Sequence, residues 1–148
     1  VYQPDAIARQ FGFIRETLGP NRGVWVEAFQ RIGDGKPGDS WCADFVSGVL
    51  WIAYQGPPPV PRTGSCDVMW AIAKQYETTV PVAGDLFFRI HANGDAHHVG
   101  IVTATGPLRG IAGNTSPDGT SSNGTGVFEH PLTLDAETHF ARLPLEIS

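Results

Sequence analysis

The chain has 148 residues, enough for one domain with a real core, and its 18 glycines and 12 prolines require many turns. A formal net charge of −5 argues against a nucleic-acid binder, which would show a basic face. No apolar run approaches the roughly 18 residues of a membrane span, no secretion signal is visible, and Val1 in place of Met suggests an upstream segment removed or left out.

The first half reads as helical. Ile7, Phe11, Ile14 and Leu18 keep helical spacing, with Pro4-Asp5 as a start and Gly19-Pro20 as a stop. A second helix is expected from about Gly23 to Ile32, closed by Gly33. The polar loop Asp34-Gly35-Lys36-Pro37-Gly38 leads to a third, which begins at Cys42 and carries Phe45, Val46, Val49, Leu50 and Ala53 as one buried stripe. Asp39 or Ser40 can cap it, and Gly56 with the prolines after it ends it. A fourth spans about Ser65 to Tyr76.

Pro81 marks a change of character. Short apolar runs at 86–90, 98–104, 108–111, 127–129 and 140–143 read as strands separated by turn residues. Helices followed by strands predict an α+β domain, one unit over residues 1–148, with the N-terminal helices packed on an antiparallel sheet. The Gly-, Asn-, Ser- and Thr-rich stretch Gly113–Gly126 is a long loop of the functional kind.

Two features carry chemistry. Cys42 stands at a helix start, where backbone N–H groups favour a thiolate. The pair His97-His98 opens a strand and offers a base; since neighbours on a strand face opposite sides, only one of the two can face the cysteine. The Cys42 N–H is a natural oxyanion donor. Cys66 can pair with Cys42 in a disulfide, but a domain of this size needs no staple, so free thiols are expected. Cys66 itself has no His-bearing strand left to serve it. His91 is a weaker base candidate, and His130 and His139 are expected to be exposed bystanders.

Taken in order, Ser40-Trp41-Cys42-Ala43-Asp44-Phe45-Val46, Gly84-Asp85-Leu86-Phe87-Phe88, His98-Val99-Gly100-Ile101-Val102 and Gly113-Asn114-Thr115 resemble the CHAP domain. That domain belongs to the NlpC/P60 group of papain-like peptidoglycan amidases and endopeptidases. The resemblance implies a papain-like architecture, with Cys42 as nucleophile, His98 as base and Asn114 as the group orienting the imidazole. It also implies a peptidoglycan substrate, and hence a protein secreted or delivered to the bacterial wall or periplasm. The family often has an acid two residues before the asparagine; here that position is Ala112. His97 and Asp39 are expected near the substrate, and Trp41 either there or as an anchor of the helix start. Asp85 reads as a structural turn residue and Asp44 as a solvated or local partner. The Asp34–Asp39 loop is similar to a calcium loop, and some CHAP domains bind calcium. It lacks the alternating oxygens and terminal Glu of an EF-hand, so no metal and no cofactor are expected. A monomer is expected. Two other readings stay open: a CHAP-like binding module that has lost activity, and a papain-like toxin or deamidase with a protein substrate.

Overall fold

The computed structural model describes residues 1–145. Four helices, α1 (Pro4–Arg9), α2 (Val24–Ile32), α3 (Cys42–Tyr54) and α4 (Cys66–Ala73), precede six strands. The strands are β1 (Glu77–Thr78), β2 (Leu86–Ile90), β3 (Ala96–Thr105), β4 (Leu108–Thr115), β5 (Gly126–Pro131) and β6 (Thr138–Ala141). They form one sheet in the order β1-β6-β2-β3-β4-β5, antiparallel at every pairing. The α+β reading therefore holds.

Alternation along the strands sends side chains to two faces. Leu86, Phe88, Val99, Ile101 and Ile111 join Phe45, Val46, Val49 and Leu50 of α3 in the main core. Phe87, Val102, Ala112 and Phe140 form a smaller cluster on the other face. The third helix is more deeply set than a one-stripe pattern requires: every residue from Cys42 to Leu50 is buried. Its Trp41–Leu50 stretch therefore works as the central post of the domain.

Several boundaries differ from the sequence reading: β3 runs from Ala96 to Thr105, β5 from Gly126 to Pro131 and β6 from Thr138 to Ala141, β1 is unexpected, and three further differences bear on the site. The first helix ends at Arg9, and residues 14–16 are drawn to the outer edge of β5 instead. There the Val127 N–H donates to the Ile14 carbonyl at 3.0 Å and the Glu16 N–H to that of Thr125 at 2.8 Å. This pairing covers a sheet edge that would otherwise be open. The fourth helix closes at Ala73 and tightens into one 3-10 turn, Lys74–Tyr76. β4 runs on to Thr115, which shortens the long loop at its start.

Two polar ties set α4 beside α3. Ser47 Oγ on α3 donates to the Thr63 carbonyl at 3.0 Å and accepts from the Thr63 N–H at 3.1 Å. Asp67 Oδ1 accepts the Ala96 N–H at 2.7 Å, which pins α4 to the start of β3. Asp85 is structural, as expected: its carboxylate accepts the Val82 N–H at 2.8 Å and two bonds from the Arg142 guanidinium at 3.0 Å.

The α2–α3 contact depends on Gly48. A Cβ there would run into the Phe29 ring, which is itself held in the core. Gly48→Ala gains up to about 1 kcal/mol of helix propensity but overpacks the contact at a cost of about 1–3 kcal/mol. The expected net result is a lower chemical-denaturation midpoint. A raised midpoint would contradict so close a helix crossing.

Candidate active site

Trp41 delivers Cys42 to its place. Its side chain is fully buried, and the indole N–H donates to Glu16 Oε2 at 2.9 Å. Of the two roles open to Trp41, anchoring the helix start is the one realised; a buried ring lines no substrate groove. The helix carries no side-chain cap at Trp41. The expected caps are engaged elsewhere: Asp39 Oδ2 accepts the Lys36 N–H at 3.0 Å, and Ser40 Oγ accepts from Asn114 Nδ2 at 2.8 Å. The N–H groups of the first turn, Cys42 included, thus receive no capping oxygen.

Cys42 and Cys66 are both free and buried, with their sulfurs 3.4 Å apart. The proximity of Cys66 was not evident from the sequence, which offered no reason for α4 to start beside α3. Cys42 is held well below the ordinary thiol pKa: first by the hydrogen bond it shares with Cys66, against the opposing effect of burial, then by the imidazole of His98 and by the Val99 N–H. Cys66 is pushed up by the same bond and by burial; the contact geometry alone allows either sulfur to be the donor.

His98 stands opposite Arg89, on the Phe87 face of the sheet, whereas Cys42 belongs to the helix side. β3 and β4 are paired from Ile101 and Ile111 toward their hairpin, so His98 lies beyond the end of that ladder. His98 is 4 % exposed and Cys42 3 %. Neither imidazole nitrogen has a hydrogen-bond partner. The imidazole contributes to the lowered Cys42 pKa, and no hydrogen bond fixes its ring nitrogens.

Asn114 is fully buried at the end of β4 but does not orient His98. Its amide nitrogen donates to Ser40 Oγ and, at 3.4 Å, to the Ser122 carbonyl, while its oxygen is unpartnered. It ties β4 to the approach of α3. Ala112 lies in the cluster around Phe87, whose ring is 6.0 Å from that of His98. Apolar packing occupies the side of the sheet from which an acid could have reached the imidazole.

The alternation argument for the histidine pair fails at a bulge. Arg89 opposes His98 but Ile90 opposes Ala96, so His97 is the extra residue. Both imidazoles consequently border one groove of about 330 Å³, together with Asp118, Thr120, Ser122 and His130. His130, expected to be exposed, is 2 % exposed. Its Nδ1 donates to the Pro131 carbonyl at 2.9 Å, which leaves Nε2 as a buried, unpartnered acceptor. Burial pushes its pKa down. Gly119, with φ of 75°, lies against the ring where a Cβ would collide with it. No periodicity marks His130; it is placed by the loop folding back over β5.

Asp39 lies elsewhere, on a polar recess with Asp34, Asp44 and Ser65. Asp44 departs from the solvated reading. It is wholly buried, neither carboxylate oxygen has a partner, and burial foremost, then the charges of Cys42 and Asp39, raise its pKa to about 7. Among the described residues, His91, His97 and Glu137 are the group that brings three metal-ligand atoms together. The two imidazoles are stacked 3.9 Å apart at 12°, so their in-plane lone pairs do not converge, and the Arg89 guanidinium lies 3.7 Å from the same carboxylate. That geometry suits a salt-bridged surface cluster. His139 also pairs on the surface, with Glu77 at 2.7 Å. No helix is long and apolar enough to cross a membrane among the described residues.

No family model, curated protein or solved structure matches the chain. The site is therefore described by its own geometry: a buried thiolate-forming cysteine at an uncapped helix start, an adjacent histidine, and a polar groove on which that histidine opens.

The buried Asp44 makes a pH prediction. Below its ordinary value of 3.8 the carboxyl is protonated in both folded and unfolded chains. From there to about 7 the unfolded chain ionises first, so stability falls with rising pH and then levels off. A shift of this size corresponds to roughly 3–5 kcal/mol. Asp44→Asn is expected to flatten the denaturation-midpoint profile across that window. An unchanged slope would contradict a buried, unpartnered carboxyl.

Proposed function

We propose that this protein is a cysteine hydrolase that cleaves an amide bond in bacterial peptidoglycan, either the sugar–peptide amide or a bond in the stem or bridge peptide. The observation that carries the reading is the depressed Cys42 thiol at the uncapped start of α3, with His98 beside it and opening on the groove. A papain-like arrangement is part of the same proposal, supported by helices on an antiparallel sheet with the cysteine on a helix and the histidine on a strand. The choice of peptidoglycan is supported by the ordered likeness of the four sequence segments to CHAP domains.

The chemistry runs as follows. The Cys42 thiolate attacks the amide carbon, and the carbonyl electron pair moves to oxygen. First-turn N–H groups of α3, that of Cys42 foremost, face the oxyanion. The tetrahedral adduct collapses as His98 gives a proton to the departing amine, leaving a thioester on Cys42. Water, losing its proton to His98, attacks the thioester carbon, and the carboxylate product leaves with regeneration of the thiolate. His97 and His130 border the groove through which substrate approaches. A protein secreted or delivered to the wall, acting as a monomer, fits this use.

One observation favours a second reading. His98 has no orienting partner, and apolar packing at Ala112 takes the place of an acid. A weakened site of this kind also suits a module that binds wall peptides without cutting them. Incubation of native protein and a Cys42→Ala variant with purified peptidoglycan separates the two. The hydrolase predicts new muropeptides or free amines with the native chain and a loss of at least about a hundredfold in the variant. Equal, negligible release from two folded proteins would overturn it, and retained binding in both would then identify the module.

A further inference from the structure

We infer that Cys66 is a positioning residue for the nucleophile: its thiol, 3.4 Å from the Cys42 sulfur, donates the hydrogen bond that holds Cys42 as the reactive thiolate. The inference deepens the hydrolase reading and takes its residue roles from it.

The usual devices that hold a catalytic thiolate are missing or committed elsewhere. Neither ring nitrogen of His98 is bonded to the thiol, Asn114 is committed to Ser40, and position 112 is apolar. A sulfur anion on a residue only 3 % exposed loses hydration and needs donors from the protein. Cys66 is the side chain that supplies one. It is held in place by three features outside the site: the Ser65 Oγ cap on the Val68 N–H, the Asp67 bond to the Ala96 N–H, and the Ser47–Thr63 pair that fixes the approach to α4. Each restricts the start of α4, so the donor is preorganised.

The groups around the pair fix which sulfur ionises. Cys42 faces His98 and the Val99 N–H, both of which favour its anion. Cys66 faces Asp67, whose negative charge opposes a second anion beside it. The pair thus shares one proton, kept on Cys66. Two adjacent thiols are also the components of a disulfide, and that bond would block both roles, so the assignment applies to the reduced protein.

The test is the pH dependence of Cys42 alkylation by iodoacetamide, with a phosphine reductant present and the labelled cysteine located by peptide mass spectrometry. It requires no substrate. The native chain is expected to alkylate at Cys42 with a midpoint well below the ordinary thiol value of about 8.5. Cys66→Ser, which keeps a donor of similar size, should stay low. Cys66→Ala should move the midpoint up by about one unit or more and slow the reaction about tenfold near pH 6. An unchanged midpoint in Cys66→Ala would overturn the assignment. Should Cys66→Ala prove unfolded, thiolate absorbance of the native chain decides: one thiol titrating low and the other remaining protonated supports the pair, and two titrating together contradicts it. Peptidoglycan assays on the same proteins keep the two readings apart. Failure to release muropeptides in a native chain with a low midpoint refutes the hydrolase and leaves the thiol pair, whereas release with no effect of Cys66→Ala on alkylation refutes the pair alone.

Discussion

The burial of Trp41 is the constraint from which the site follows. With its indole enclosed and its N–H held by Glu16, the third helix must begin inside the core and not at the surface. A cysteine one residue later is then set in the core between helix and sheet. That position gives it helix N–H groups and an apolar surround together. The first favours a thiolate and the second disfavours it, so reactivity depends on the specific donors that reach the sulfur.

Two interruptions of regular sheet structure lie beside the site. The β3–β4 ladder ends at Ile101 and Ile111, short of His98 and Asn114. The bulge at His97 turns both imidazoles to the same groove. A perfectly alternating ladder would send one histidine of the pair into the core. A bulge of this kind costs ladder hydrogen bonds and is maintained where it re-aims a side chain.

Much of this was legible in the chain. The apolar stripe after Cys42 located the start of α3 to the residue, Leu86–Ile90 was read with its true limits, and helices before strands gave the α+β class. Local signals, a helix start and a strand start, singled out Cys42 and the histidine pair, and the resemblance to CHAP domains chose His98 from that pair. What stayed hidden depends on contacts between distant segments. Residues 14–16 carry a helical spacing but are taken by the edge of β5, where backbone bonds to residues 125 and 127 outweigh weak local propensity. Cys66 comes to Cys42 through the Ser47–Thr63 and Asp67–Ala96 ties, neither of which has a sequence signature. His130 is enclosed by a loop whose composition says only that it is irregular. Asn114 illustrates the converse: its position in a familiar pattern suggested an orienting role, while its hydrogen bonds go to Ser40 and Ser122.

The proposed hydrolysis requires Cys42 to form a covalent bond with an acyl group in the course of amide cleavage. Acid quenching of native protein mixed with muropeptides, followed by proteolysis and mass spectrometry, tests it most directly. The account predicts an acyl adduct on the peptide that contains Cys42, absent when Cys42 is replaced by alanine. Product formation with no adduct, an adduct on Cys66, or neither product nor adduct from the reduced, folded protein would contradict it.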